Sequence, residues 1–231
     1  MKKIVLLITI IFAAASLKAQ NEFQQITLGA GAGAATTYAS SQIAKTTPAF
    51  SANLSYYPKK FFNIALEAQV GELAGGNAGM SNASYTNKYA AVIFEPTFHF
   101  GAIFNNSFNN LQGDFVNKSG YDFASVCKNF YVGTGFGLIH NNVTNIDQTT
   151  SYSQNIVAVV PVKFGYEISF ADQYDNPMLK LNLSYSFNSA LGRGLDGSSG
   201  PAPQAAASYS YYSLQLEFPI YSSQNHGMKR R

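Results

Sequence analysis

Charge in this chain obeys a parity rule. Wherever apolar and polar residues alternate, the ionised side chains Glu67, Glu95, Lys163, Glu167, Lys180 and Glu217 stand on the face opposite the continuous apolar one. Residues 61–71 set Phe62, Ile64, Leu66, Ala68 and Val70 against Asn63, Ala65, Glu67 and Gln69. The segment ending at Asn188 sets Leu179, Leu181, Leu183, Tyr185 and Phe187 against Lys180, Asn182, Ser184 and Ser186. Successive side chains of a strand point to opposite sides, so one side of each segment is oil and the other holds the ions. The apolar side is too continuous and too rich in large residues for the interior of one soluble sandwich. A sheet closed on itself, with lipid outside, accommodates it.

The same period of two runs through residues 25–36, 48–57, 88–101, 130–140, 155–170 and 209–221. Together these make eight strands of roughly the ten residues that a tilted strand needs to cross a bilayer. Ile93, Val157 and Val159 are departures, being apolar residues on the polar side. The expected fold is all-β: an eight-stranded antiparallel transmembrane up-and-down β-barrel with long extracellular loops. With a periplasmic N-terminus, the connections 39–46, 72–87, 141–154 and 189–208 fall outside, and the turns "PKK" and "ADQYDNP" inside. The inner connection 102–129 is too long for an ordinary turn, and a small helix or an inward-folded plug is expected there.

Composition supports the membrane reading. Charged residues make up 12% of the chain, about half the usual share for soluble proteins, beside 18 Phe and 15 Tyr. Residues 1–19 carry Lys2 and Lys3, an apolar run and Leu17-Lys18-Ala19 before Gln20, the layout of a secretory signal peptide. The barrel domain is then expected at 20–221, followed by a polar tail at 222–231. Cys127 is the single cysteine, so no intramolecular disulfide can form. Without Lys2, Lys3 and Lys18, twelve basic residues balance twelve acidic ones, and no nucleic-acid partner is indicated.

"TLGAGAGAATTY" nearly satisfies the dinucleotide-binding fingerprint at Gly29, Gly31 and Ala34. That fingerprint needs a helix after it and an acidic residue about 20 positions on. Residues 23–66 contain no Asp or Glu, and "YVGTGFGLIH" repeats the alternating glycines. The glycines are therefore expected on inner faces, making room in a lumen that eight strands leave only just wide enough for side chains. Glu67, Glu95 and Lys163 are expected near mid-height, with His99, Glu167, Lys180 and Glu217 nearer the periplasmic end. Lys180 is expected to bridge Glu167 and Glu217, because unpaired buried charges cost several kcal/mol each.

No catalytic, cofactor or metal site is expected. Glu95 and His99 are four residues apart on one strand face, about 13 Å, and cannot touch. The enzymatic small barrels, lipid A deacylases and palmitoyltransferases, place Ser and His near the outer rim. His140 lies there but is followed by Asn141 and Asn142, with no His-x-Ser pair. Tyr38, Tyr56, Tyr57, Phe61, Tyr89, Phe130, Phe170, Phe187, Tyr209 and Tyr221 cluster at strand ends and are expected to form interfacial girdles.

Through "SLKAQ", "YVGTGFGL" and "YYSLQLEFPIY" the chain resembles small outer-membrane β-barrels of the OmpA and OmpX type. More narrowly, it resembles the outer membrane protein beta-barrel domain group common in Bacteroidota, PorT-like proteins included. The resemblance implies the outer membrane of a Gram-negative bacterium and a non-enzymatic barrel that is structural or presents its outer loops to a protein partner. It also implies outer-membrane lipid as surroundings and the barrel assembly machinery as a partner in biogenesis. A narrow channel for small or apolar solutes, or an accessory component of a protein secretion system, are the alternatives. One feature departs from the family pattern: "SSQNHGMKRR" follows Tyr221, where such barrels often end on an aromatic residue.

Overall fold

The computed structural model describes residues 24–38, 43–59, 61–76, 84–100, 129–145, 153–171, 177–192, 195 and 207–223. The expected leader at 1–19, residues 102–128 of the long inner connection, and the tail beyond residue 223 lie outside the described residues.

Alternation yields extended chain across the described segments. The strands are β1 (Gln24–Tyr38), β2 (Ile43–Lys59), β3 (Phe62–Gly76), β4 (Ser84–His99), β5 (Phe130–Thr134), β6 (Phe136–Asn145), β7 (Ser153–Ala171), β8 (Pro177–Ala190) and β9 (Ser208–Ser223). β5 and β6 are collinear halves of one strand, since both pair with β4 and with β7 in an unbroken register. The expected strand 130–140 is thus divided at Gly135. Every pairing is antiparallel and each strand joins its sequence neighbours. β9 returns to pair with β1 from Gln24↔Ser223 to Tyr38↔Ser208, and the ring closes with eight wall positions. At Ile26/Thr27 that register slips opposite Pro219, where an amide-free residue suits a bulge.

The two faces separate as the parity rule requires. Leu183 is 59% and Phe218 56% exposed on the outer wall, whereas Lys163 is 4% and Glu95 0% exposed within. No described helix is long and apolar enough to cross a membrane. The strands themselves are longer than expected. β3 continues to Gly76, β4 starts at Ser84, β6 reaches Asn145 and β7 starts at Ser153, so the outer connections shrink accordingly. Beyond the apolar belt the alternation persists with its chemistry changed: Asn87 and Asn141 stay inward and buried, but large apolar side chains join them there. Glu72, Lys88 and Asn142 form one row of outward register partners, while Leu73, Tyr85, Tyr89 and Val143 turn inward.

Inner-face glycines supply space. A Cβ at Gly29 would run into Asn53 and Glu217, and one at Gly165 into the ring of Tyr131. At Gly31 it would lie 2.6 Å from the backbone oxygen of Leu214, which cannot swing aside. Gly31→Val is therefore expected to cost about 1–3 kcal/mol through overpacking, read as a lower urea midpoint for the barrel refolded in lipid vesicles.

Candidate functional site

Among the described residues the lumen is where this fold gathers polar chemistry, and it is filled in layers. In its outer half lies an apolar layer to which every wall position contributes. Ala35 comes from β1, Ala49 from β2, Leu73 from β3, Ile93 with Tyr89 from β4, and Ile139 from β6. Val157 and Val159 follow from β7, Ala190 from β8, and Tyr209 and Tyr211 from β9, with Leu195 of the β8–β9 connection added from above. Ile93, Val157 and Val159, departures in the alternation, are thus members of a second core on the inside of the barrel. Tyr57, Tyr89 and Tyr209 are corrections to the expected girdle. Their parity turns them inward, where all three are buried, and the Tyr89 and Tyr209 rings pack 5.6 Å apart. Tyr38, Tyr56, Phe130, Phe170 and Phe187 do face outward, Phe61 is half-buried, and the Tyr221 side chain lies outside those described.

Below this layer Lys163 of β7 is clamped between two carboxylates, Glu67 of β3 and Glu95 of β4, the latter at 2.8 Å. Gln69 Nε2 donates to Glu67 Oε1 at 2.9 Å, and Tyr209 Oη donates to Gln69 Oε1 at 3.3 Å, which ties the ion pair to the apolar layer. Burial of all three charges makes the arrangement obligatory, since an ammonium or carboxylate taken from water without a partner is strongly destabilising.

A second pair, Lys180 Nζ to Glu167 Oε1 at 2.9 Å, lies toward the other end. Tyr57 Oη donates to Glu167 Oε2 at 2.7 Å, and the Lys180 ammonium sits 3.5 Å from the centre of the Tyr57 ring. The expected bridge from Lys180 to Glu217 is not formed, although the two are register partners on β8 and β9. Glu217 is held by neutral donors instead: Asn53 Nδ2 at 2.8 Å, Asn182 Nδ2 at 2.9 Å and Thr27 Oγ1 at 3.0 Å. Side-chain hydrogen bonds saturate its carboxylate, so the lysine is free to serve Glu167. His99 stacks obliquely between Tyr57 and Tyr131, with centroids 6.3 and 5.3 Å away. Its Nε2 has no hydrogen-bond partner among the described residues.

All seven residues singled out from the sequence are therefore inside, in three groups rather than one network: Glu67, Glu95 and Lys163; Glu167, Lys180 and His99; and Glu217 alone. Sequence reasoning missed the neutral amides that complete them, Asn53, Asn182 and Gln69. Their position on polar faces was the available signal. His140 is on the outer wall and exposed. No group of three or more His, Cys, Asp or Glu side chains placed to hold a metal occurs among the described residues.

The arrangement is a closed barrel. In overall shape it is similar to several solved structures. The attachment invasion locus protein Ail of Yersinia pestis matches at 10% identity and TM-score 0.47, over 86% of this chain and 99% of that one. Neisserial surface protein A matches at 11% and 0.46, over 84% and 96% respectively. The outer membrane protein OprG of Pseudomonas aeruginosa matches at 9% and 0.42, over 88% and 100%. No family model and no curated sequence matches the chain. At these values the fold rests on the closed ring of strands itself.

The clamp and the neutral cradle differ in what their loss should do. Lys163→Met strands two buried carboxylates and is expected to remove about 3–5 kcal/mol. Glu217→Gln keeps an acceptor for the two amides and is expected to change stability far less. Urea unfolding of both variants in lipid vesicles checks the contrast.

Proposed function

We propose that the chain is a non-enzymatic integral barrel of a Gram-negative outer membrane, with a sealed lumen and a structural or surface-contact role. One observation carries this reading: an apolar layer fed by all eight wall positions lies across the lumen above two buried ion pairs. Water and ions crossing it would have to displace packed Ile, Val and Tyr side chains. Strands that hold buried charge inside and bare Leu, Val and Phe outside suit a bilayer, where backbone groups find partners only in a helix or a closed sheet.

Within this reading the lumen residues Glu67, Glu95, His99, Lys163, Glu167, Lys180 and Glu217 lock the barrel's interior. Residues 1–19 act as a cleaved export signal, which their basic start and apolar run support, and residues 20–221 form the barrel domain with 222–231 as its tail. The assembly machinery inserts the barrel, and its outer connections face the surroundings. The outward row Glu72, Lys88 and Asn142 supports a rim that stands above the lipid on that side. Membership of the Bacteroidota outer-membrane β-barrel group, PorT-like proteins included, is supported by the strand sequences "YVGTGFGL" and "YYSLQLEFPIY".

Reconstitution into planar bilayers is expected to give no steady single-channel current, and the unheated protein is expected to migrate differently from the boiled one in detergent gels of the outer-membrane fraction. A sustained ohmic current would overturn the sealed lumen. A soluble protein without a mobility shift would overturn the membrane reading.

A further inference from the structure

The wall has one place in mid-strand where both neighbouring ladders lapse together. Pairing of the β5–β6 strand with β4 stops after Gly133↔Thr97 and resumes at Phe136↔Phe94. Pairing with β7 stops after Thr134↔Val162 and resumes at Gly137↔Val159. Because the registers on either side of each gap agree, the residues facing the lapse include Pro96 on β4 and Pro161 on β7. Proline has no N–H to give a ladder. The Pro161 carbonyl accepts a hydrogen bond from the Thr134 hydroxyl at 2.9 Å. On their other sides Pro96 pairs with Ile64 and Pro161 with Asn188 without interruption, so the lapse is confined to the two seams around Gly135. Other irregularities among the described residues lie near strand ends, at Ile26/Thr27, Lys45/Ala49, Tyr56/Lys59 and Phe170/Ala171.

On the lumen side of this place Lys163 of β7 reaches Glu95 of β4 at 2.8 Å, across the strand that separates them. The crossing is open because that strand presents Gly133, Gly135 and Gly137 inward. A Cβ at Gly135 would strike the Phe94 carbonyl. A side-chain ion pair therefore joins the two strands flanking the position where backbone pairing is missing.

We propose that the wall around Gly135 is a seam latched from within by Lys163, and that β4 and β7 part there first when the latch releases. Opening at that point brings lumen charge to the lipid-facing side of the wall while the ladders of β1, β2, β8 and β9 stay closed. The inference goes beyond the sealed-barrel reading, since a barrel sealed along its axis can still have a wall that parts sideways.

Hydrogen exchange on the full-length protein in detergent micelles tests it. Amides of residues 134–136 are expected to exchange at least about tenfold faster than those of residues 30–32 in β1, the other glycine-rich strand, as for local opening against an intact ladder. Pro96→Ala with Pro161→Ala restores both donors and is expected to slow exchange at 134–136. Glu95→Gln keeps the shape but removes the charge from the latch, and is expected to speed exchange there while leaving 30–32 unchanged. Equal protection of the two strands in the unaltered protein would sink the seam, as would proline replacements that leave exchange as it was. A Glu95→Gln rise spread evenly over the barrel would sink the latch. Should that variant fail to fold, the unaltered protein and the proline replacements still decide on the seam, and Glu95→Asp, which keeps the charge but shortens the reach, decides on the latch by the same selective rise.

Discussion

The pairing of β9 with β1 is the contact on which the rest of the molecule depends. In a bilayer core no water reaches an exposed sheet edge, and each unpaired backbone group is costly. The register from Gln24↔Ser223 to Tyr38↔Ser208 removes the two edges that an open sheet of these strands would expose. Closure also limits the interior. A ring of eight strands has little more than the volume of its own inward side chains, so glycine on β1 and on β5–β6 must alternate with long residues elsewhere.

That confinement explains how the charges are arranged. Lys163 is far enough from water that one carboxylate on either side, Glu67 and Glu95, accompanies it, and Lys180 takes Glu167 and the face of Tyr57. Glu217 shows that a buried carboxylate can also be held by two amides and a hydroxyl without direct contact with a cation. Buried ion pairs are poor sources of net stability compared with apolar residues of similar volume, but they are intolerant of losing a partner. Here they define one arrangement of the lumen, beneath the apolar layer.

Much of this was legible in the chain. The strands, their order and the side on which each of Glu67, Glu95, His99, Lys163, Glu167, Lys180 and Glu217 stands follow from a period of two. The strand ends were less legible, because outside the belt apolar side chains join the inner face and polar ones the outer: Leu73 and Val143 turn inward while Glu72 and Asn142 turn outward. A reading tuned to apolar-outside stops there. For the same reason Ile93, Val157 and Val159 looked like lapses in the pattern, and Tyr57, Tyr89 and Tyr209 looked like interfacial rings.

Sequence by itself determined the facing of each strand, because side-chain direction is a local property of extended backbone and needs no knowledge of neighbours. Only the tertiary structure decided which side chains meet across the lumen. Strand stagger and tilt are set when the ring closes, and they place Lys163 beside Glu67 and Glu95 and send Lys180 to Glu167 rather than to its register partner Glu217. The coincidence of Pro96, Gly135 and Pro161 at one point of the wall belongs to the same class. Residues so far apart in the chain become neighbours only through a register that no single strand contains.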